Sequence, residues 1–460
     1  MIYLTRLTVK DLIDLSHAKL VSGSLLDEIG ECFIDSSKVN NGGCFFGIKG
    51  CNTDGSLFYK EAFLNGASVC VINEKIEFDI NDFKDKTLLT VKDTKESLQL
   101  LAKRKRDLFK GTVVAITGSV GKTSTKEMIY NILNKKYKVL KTIGNQNSQL
   151  GLPLTILRLK DEEVMVLEMG MNDLGQIEKL SLIARPDISV ITNIYDSHIG
   201  ILGSRKNILK AKLEIVRGMK KGYLIVNNDN DMLYNLNLKN KNIDIITYGI
   251  KNSSNYMAYN VKEDDIVTFD TKDIKDIKVK EGVPFVYNAL ASIIVGKMLL
   301  VTNELIKDGI NDRRSVSHRL EDIKINNYLI IDDTYNASYE SLKVALNYMS
   351  KINGRKIVIL GDILELGEDS ISIHKKIGKL LLDYNIDYLI TIGSYSKYID
   401  SSVMDNGFNK DNVKHFDSEL NSRKFIKDLI KENDVVLIKG SNSTNLVNII
   451  KYLKKKDLRF

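Results

Sequence analysis

The chain has 460 residues, 43% of them apolar and 27% charged, with a net charge of +8. That length exceeds one hydrophobic core, so several domains are expected, and the composition excludes an extended disordered chain. The sequence shows no apolar run near the roughly 18 residues of a membrane span, no export signal, and lysines interleaved with acids rather than gathered with aromatics; the expected setting is the cytoplasm, without membrane insertion or nucleic acid.

Residues 1–110 hold short strand-like runs at 32–34, 44–48, 67–72 and 87–91 between polar turns, which predicts a small α/β domain. Asp35-Ser36-Ser37-Lys38 and Asp54-Gly55 sit in loops flanking these strands, where a ligand can bind. Cys32, Cys44, Cys51 and Cys70 all lie here, with neither a C-x-x-C pair nor zinc-site spacing, so reduced thiols are expected.

From residue 111 buried strands alternate with helices. The run 112–116 leads into Thr117-Gly118-Ser119-Val120-Gly121-Lys122-Thr123-Ser124, then into a segment with Met128, Ile129, Ile132 and Leu133 at helical spacing. Strand, glycine-bearing loop and helix make a phosphate site: the glycines let N–H groups turn toward an anion, the helix dipole favours it, Lys122 supplies charge and Thr123 a hydroxyl for Mg²⁺. The general G-x-x-x-x-G-K-[ST] pattern fails, since Ile116 stands at its first glycine, so the flanking strand and helix carry the reading. Later strands at 164–167, 188–192 and 223–226 end on Glu168, Asn193 and Asn227. A doubly wound parallel sheet gathers ligands at its strands' carboxyl ends, so Lys122, Thr123, Glu168 and the loop to His198 are expected in one crevice. An acid there suits Mg²⁺. His198 alone reads as a satisfied loop histidine, and Lys212, in a helix predicted over 204–216, as a solvated lysine. Residues 230–280 read as a strand-bearing surface excursion, followed by a helix over 285–301 that bears Asn288.

From residue 316 the alternation repeats. Strands at 328–331, 356–360, 388–392 and 435–438 end on Asp332-Asp333-Thr334-Tyr335-Asn336, Gly361-Asp362, Gly393-Ser394 and Lys439-Gly440-Ser441, with helices at 338–350 and 374–384 between them. This predicts a second doubly wound sheet, without a phosphate loop at its first strand. The expected domains are therefore 1–110, 111–315 and 316–460, with the basic tail 451–459 as a helix C-terminus.

These motifs, taken in order over nearly the whole chain, resemble the Mur ligases, and most closely the MurF type. Thr117 to Thr123 is similar to that family's own phosphate loop, whose early glycine is placed differently from the general one. Gly144-Asn145-Gln146-Asn147 with Gly151-Leu152-Pro153 is similar to its substrate loop. Glu168-Met169-Gly170, the loop to His198, Ala211-Lys212-Leu213-Glu214-Ile215, Asp332 to Ala337, Gly361-Asp362 with Glu365-Leu366-Gly367, and Lys439-Gly440-Ser441 follow at the family's intervals.

The resemblance implies a three-domain α/β enzyme: an N-terminal domain for a UDP-substrate, a central P-loop ATPase and a C-terminal Rossmann-like domain closing over ATP. It implies addition of D-alanyl-D-alanine to UDP-N-acetylmuramoyl-tripeptide, through an acyl phosphate, by a monomer engaged in peptidoglycan synthesis, on which cell shape and division depend. Gly118, Ser119, Val120, Gly121, Lys122 and Ser124 would cradle ATP, with Asn288, Asn336 and Arg319 on the nucleotide. Thr123 and Glu168 would hold one Mg²⁺, and His198 with a CO₂-carbamylated Lys212 a second. Asp35, Ser36, Asn145 and Asn147 would face the UDP-substrate.

The chain departs from the family pattern at Ser37, where an arginine is usual, at Ser56 and Pro284, where histidines are, at Gly200 for a glutamate, and at His318 for a glycine. Serine cannot grip a pyrophosphate bidentately as arginine does. These departures leave a Mur-type ligase with another carboxylate or amine substrate as the alternative. A GTPase-like switch would carry an N-K-x-D motif, which is absent, and a non-catalytic binding protein would have lost part of the phosphate or metal set.

Overall fold

Four sheets organise the chain in a computed structural model that describes residues 6–79, 85–264, 266–312 and 318–455. The first has five strands in the order Lys19–Ser22, Thr87–Val91, Val69–Asn73, Cys44–Phe46 and Cys32–Phe33. Only its first pair is antiparallel. The helix Thr94–Leu108 follows, capped by Asp93, whose carboxylate accepts the Glu96 N–H. Its buried Leu98, Leu101 and Ala102, at helical spacing, join a core that runs on through Leu152 to Leu180. Arg106 fastens the junction, donating to Ala184 O at 2.6 Å and Arg185 O at 3.0 Å. All four cysteines are free.

The second sheet is parallel throughout, in the order Tyr256–Met257, Ile243–Gly249, Gly222–Asn227, Ile188–Ile191, Thr112–Thr117, Val164–Glu168 and Val139–Lys141. After Thr112–Thr117 the chain first builds one side, Val139–Lys141 and Val164–Glu168, and then crosses to Ile188–Ile191 on the other. Thr112–Thr117 is therefore the switch point, where a crevice opens beyond the strand ends. The helix Pro284–Met298 covers the opposite face of the sheet, with Pro284 at its first turn, where no N–H is needed. The stretch 230–280 contributes two strands to this sheet and a separate antiparallel one formed by Tyr259–Glu263, Val267–Asp270 and Ile277–Val279.

The fourth sheet runs Glu321–Ile325, Tyr328–Asp333, Val435–Lys439, Lys356–Gly361, Tyr388–Ile392 and Val413–Phe416. It is parallel except for Glu321–Ile325, an antiparallel edge absent from the sequence reading. Helices Tyr339–Ser350 and Ser370–Leu381 cover one face and Val447–Lys455 the other. The 315/316 boundary and residues 456–459 of the basic tail lie outside the described residues. No described helix is long and apolar enough to cross a membrane.

Candidate active site

The loop after Thr112–Thr117 is shaped by two glycines in the left-handed region, Gly118 (φ 146°) and Gly121 (φ 84°). A Cβ on Gly118 would lie 2.0 Å from Thr192 Oγ1, so no other residue fits without displacing the neighbouring strand end. The helix Lys122–Leu133 starts immediately afterwards, and its first N–H groups have no intrahelical acceptor. Asn193 clamps the loop from the next strand, accepting the Val120 N–H at 2.9 Å and donating back to Val120 O at 2.9 Å. Ser119 donates its N–H to Asn193 O and its hydroxyl to Tyr195 O. Thr117 turns its hydroxyl to Met169 O at 2.8 Å, tying the strands together behind the loop. The cradle is thus rigid before any ligand arrives.

Lys122 folds back over this loop, donating to Gly118 O at 2.8 Å and Ser119 O at 3.1 Å. Desolvation pulls its ammonium below the usual lysine range, against the pull of Glu168, while Arg319 adds repulsion. Glu168 is buried at the end of Val164–Glu168; it accepts from Thr123 Oγ1 at 2.8 Å and from Asn147 Nδ2 at 2.8 Å. Asn147 thus sits on the acid, while Asn145 is exposed on the cleft wall. Ser124 is half-buried in the first helical turn, and Asn288 lies behind the loop, its Oδ1 2.9 Å from where a Gly121 Cβ would stand.

His198 lies in the cleft, as the strand-end rule expects of its loop, and its ring meets an acid of the opposing unit. It adopts φ 65° and brings Nδ1 to 2.6 Å from Glu365 Oε2 of the opposing unit. Glu365 is held below the usual carboxylate range by that contact. Two residues on, Gly200 N–H donates to Glu365 O at 3.2 Å, and a Cβ on Gly200 would lie 2.2 Å from the Gly367 N. A glutamate at this position could not fit, which gives the Gly200 departure a packing reason.

Lys212 corrects its sequence reading as a solvated lysine. On the helix Arg205–Leu213 it is fully buried and its Nζ has no hydrogen-bond partner. Burial first, then the Lys122 charge, pull it well below the usual lysine range against the opposing pull of Glu168 and Glu214, so its ammonium form is disfavoured. Helical spacing sets Lys212 by the turn of Ile208, which is buried with it, so the inward orientation holds in place of the solvated one. Glu214, two residues on, accepts the Gly175 and Glu178 N–H groups and caps the helix Gln176–Ala184.

Across the cleft stand Arg319, Tyr335, Asn336 and Lys439. The Arg319 guanidinium stacks 3.9 Å over the Tyr335 ring. Exposed Asn336 turns its side-chain oxygen to the Ala337 N–H, and its backbone carbonyl accepts from Lys439 Nζ at 2.8 Å. Lys439 pairs with Asp333 at 2.5 Å, both buried. This pair was quoted as motif in the sequence without a role; its signal is a cation and an acid ending neighbouring strands. The cleft has a volume of about 480 Å³, is open to solvent and is lined by both units.

Asp35 and Ser36 do not line this cleft. Asp35 accepts from Ser37 N at 3.1 Å and Ser37 Oγ at 2.7 Å, and Lys38 Nζ lies 2.9 Å away; the Ser37 hydroxyl and then Lys38 hold it below the usual carboxylate range. Ser36 donates to Glu61 Oε2 at 2.8 Å. Ser56 is buried, donating to Gly47 O at 2.9 Å and accepting the Asn73 N–H at 3.0 Å, so it braces two strands.

A phosphate loop on a switch-point strand, facing a second α/β unit across a charged cleft, is the site of a nucleotide-dependent enzyme, and the chain's relatives make that class an ATP-dependent ligase. Residues 116–296 match the Mur ligase middle domain and 318–442 the Mur ligase, glutamate ligase domain. The chain belongs to the Mur ligase family. It is 34% identical to the UDP-N-acetylmuramoyl-tripeptide–D-alanyl-D-alanine ligase of Bacillus subtilis, with 96% of this chain and 98% of that one covered. The MurF of Acinetobacter baumannii superposes with a TM-score of 0.84 at 27% identity, over 98% of this chain and 99% of that one. MurF of Thermotoga maritima, solved in complex with ADP, gives 0.76 at 28% identity, over 93% of this chain and 98% of that one.

Proposed function

We propose that the chain adds D-alanyl-D-alanine to UDP-N-acetylmuramoyl-tripeptide at the expense of ATP, as a cytoplasmic monomer, with units at about 1–110, 111–315 and 316–460. The observation that carries this reading is the convergence of Lys122, Thr123, Glu168, His198, Arg319 and Lys439 on one cleft, in a chain similar end to end to such ligases.

A carboxylate cannot form an amide directly, because oxide is a poor leaving group. In this reading the tripeptide carboxylate attacks the γ-phosphate of ATP; a bond forms to phosphorus and ADP leaves. The free amine of the dipeptide then attacks the acyl carbon and phosphate departs, so atoms balance without an enzyme nucleophile. The first step brings two anions together, and the protein's task is to neutralise and align them. Lys122 and the helix N-terminus draw the β- and γ-phosphates down, Arg319 approaches from the opposing unit, and Asn288 and Asn336 flank the nucleotide. Asn145 and Asn147 lie on the acceptor side, and Asp35 and Ser36 serve the distant UDP end.

The donor set fits Mg²⁺: the Thr123 hydroxyl touches the Glu168 carboxylate beside a phosphate loop, hard oxygens in the place the ion prefers. Thr123 and Glu168 would hold one ion, and His198 with Lys212 a second. Bound there, Mg²⁺ would supply positive charge to the phosphate oxygens. Lys212, buried and unpaired, with its pKa well below the usual lysine range, suits CO₂ addition to the lone pair of its free amine with loss of a proton, which turns the amine into an anionic oxygen ligand.

The test is phosphate release with ATP, Mg²⁺, UDP-N-acetylmuramoyl-tripeptide and D-alanyl-D-alanine, each omitted in turn. Release only in the full mixture supports the reading; none there overturns it. The Ser37 departure favours a second reading with a different amine or carboxylate, for which other acceptors would release phosphate instead.

A further inference from the structure

We infer that His318 is a positioning residue that aims Arg319 at the nucleotide phosphates; this rests on the ligase reading above. His318 stands in the left-handed region at φ 64°, which few residues other than glycine adopt, histidine being among those found there more often. Three contacts hold it there. Its Nδ1 lies 2.6 Å from Asp332 Oδ2, its N–H donates to Glu321 Oε2 at 2.9 Å, and its carbonyl accepts the Tyr335 N–H at 3.1 Å. Asp332 is fully buried, and its other oxygen accepts from the Thr334 N–H and hydroxyl. The histidine, glutamate and aspartate have a metal-like spacing; in the structure His318 Nδ1 faces Asp332 Oδ2, Glu321 Oε2 accepts the His318 N–H, and Asp332 Oδ1 is taken by Thr334.

Arg319 follows directly and needs holding. Lys122 and Lys439 both feel its charge as repulsion, so three cations converge on one cleft before an anion arrives. Its guanidinium rests on the Tyr335 ring, and its Nε is buried without a hydrogen-bond partner. The Tyr335 backbone is fixed by the His318 carbonyl. The histidine therefore anchors both the chain that carries Arg319 and the ring under it to the buried end of Tyr328–Asp333.

The experiment compares His318→Gly, His318→Asn, Arg319→Ala and the His318→Gly/Arg319→Ala double variant in the full chain. Glycine keeps the left-handed backbone and removes the ring; asparagine keeps the backbone and a donor for Asp332. The expected result for His318→Gly is a rise of about tenfold in KM for ATP with kcat and KM for the dipeptide nearly unchanged, the size a lost positioning hydrogen bond gives. His318→Asn is expected to recover most of it. In the Arg319→Ala background, His318→Gly should add no further rise, because it acts through the arginine. An unchanged KM for ATP in His318→Gly, or additive effects in the double variant, would overturn the inference. Absence of phosphate release by the unaltered chain would instead sink the ligase reading.

Discussion

The two parallel-stranded sheets end in acids and lysines at corresponding places, yet they use them in opposite ways. At the ends of the seven-stranded sheet, Lys122 and Glu168 line the cleft, Lys122 donating to Gly118 O and Ser119 O and Glu168 accepting from buried Thr123 and from Asn147, while Lys212 is buried with no hydrogen-bond partner. At the ends of the six-stranded sheet, Asp332 is shared between His318 and Thr334, Asp333 is paired with Lys439, and Asp362 accepts three backbone N–H groups. A buried group left without internal partners, as Lys212 is, costs stability and is available for chemistry; an acid saturated by its own fold, as Asp362 is, shapes the wall instead.

The largest effect should come from Lys122→Ala. It removes the one cation lying on the phosphate loop, and turnover is expected to fall at least about a thousandfold, with ADP binding lost in the same titration. Retained ADP affinity would remove the loop from the site.

Lys212→Met sharpens the contrast because activity and stability should move in opposite directions. Turnover is expected to drop by about 10²–10³-fold, while the melting temperature at neutral pH rises. Burial depresses the amine's pKa, so below its ordinary titration range the unfolded chain binds the extra proton. Stability of the unaltered chain therefore grows as pH rises, and methionine removes that slope. A melting point that falls with the substitution would mean the amine has a stabilising partner.

Asp362→Ala tests the saturated edge. The carboxylate takes the Ser394, Tyr395 and Ser396 N–H groups at 2.7–3.0 Å, and Gly393 at φ 123° lets the loop close around it. Losing it is expected to cost about 2–4 kcal/mol in unfolding measurements, with ADP affinity changed by less than about threefold. A selective loss of ADP binding in a normally stable variant would make Asp362 part of the ligand site.

The free edge was far more legible than the saturated one. Strand, glycine loop and helix in sequence placed Lys122, Thr123 and Glu168 together, because a local motif and the switch-point rule suffice. The same rule placed the loop to His198 in that crevice, but the approach of Glu365 and the full burial of Lys212 are set by units far apart in sequence, and a role for either side chain came only from the family resemblance. The Asn193 clamp was missed for the same reason. Ser56 was noted as a lost ligand contact and is a buried brace. Among the strands, Val413–Phe416 and Glu321–Ile325 escaped because edge strands are short and polar, without the apolar run that betrays a central one.

The smallest expected effect belongs to an acid that neither binds nor is satisfied. Asp400, on the helix Lys397–Asp405, is buried; one oxygen accepts from Thr391 Oγ1 at 2.7 Å and the other has no partner. His415 Nδ1 approaches Thr391 Oγ1 at 2.9 Å and Asp400 Oδ2 at 3.6 Å, and burial lowers the pKa of that imidazole. Desolvation raises the Asp400 carboxyl to about 6 from 3.8. The folded chain therefore holds this proton where the unfolded chain has lost it, and stability falls as pH rises from about 4 to about 6, then levels. Asp400→Asn is expected to stabilise the chain by about 1–2 kcal/mol above pH ~6.5 and by almost nothing near pH ~3.5, read as the difference in melting temperature across that range, with turnover unchanged. If the difference instead grew toward acid pH, the carboxylate would be a paired, stabilising group, and the six-stranded sheet's acids would be saturated without exception among the described residues.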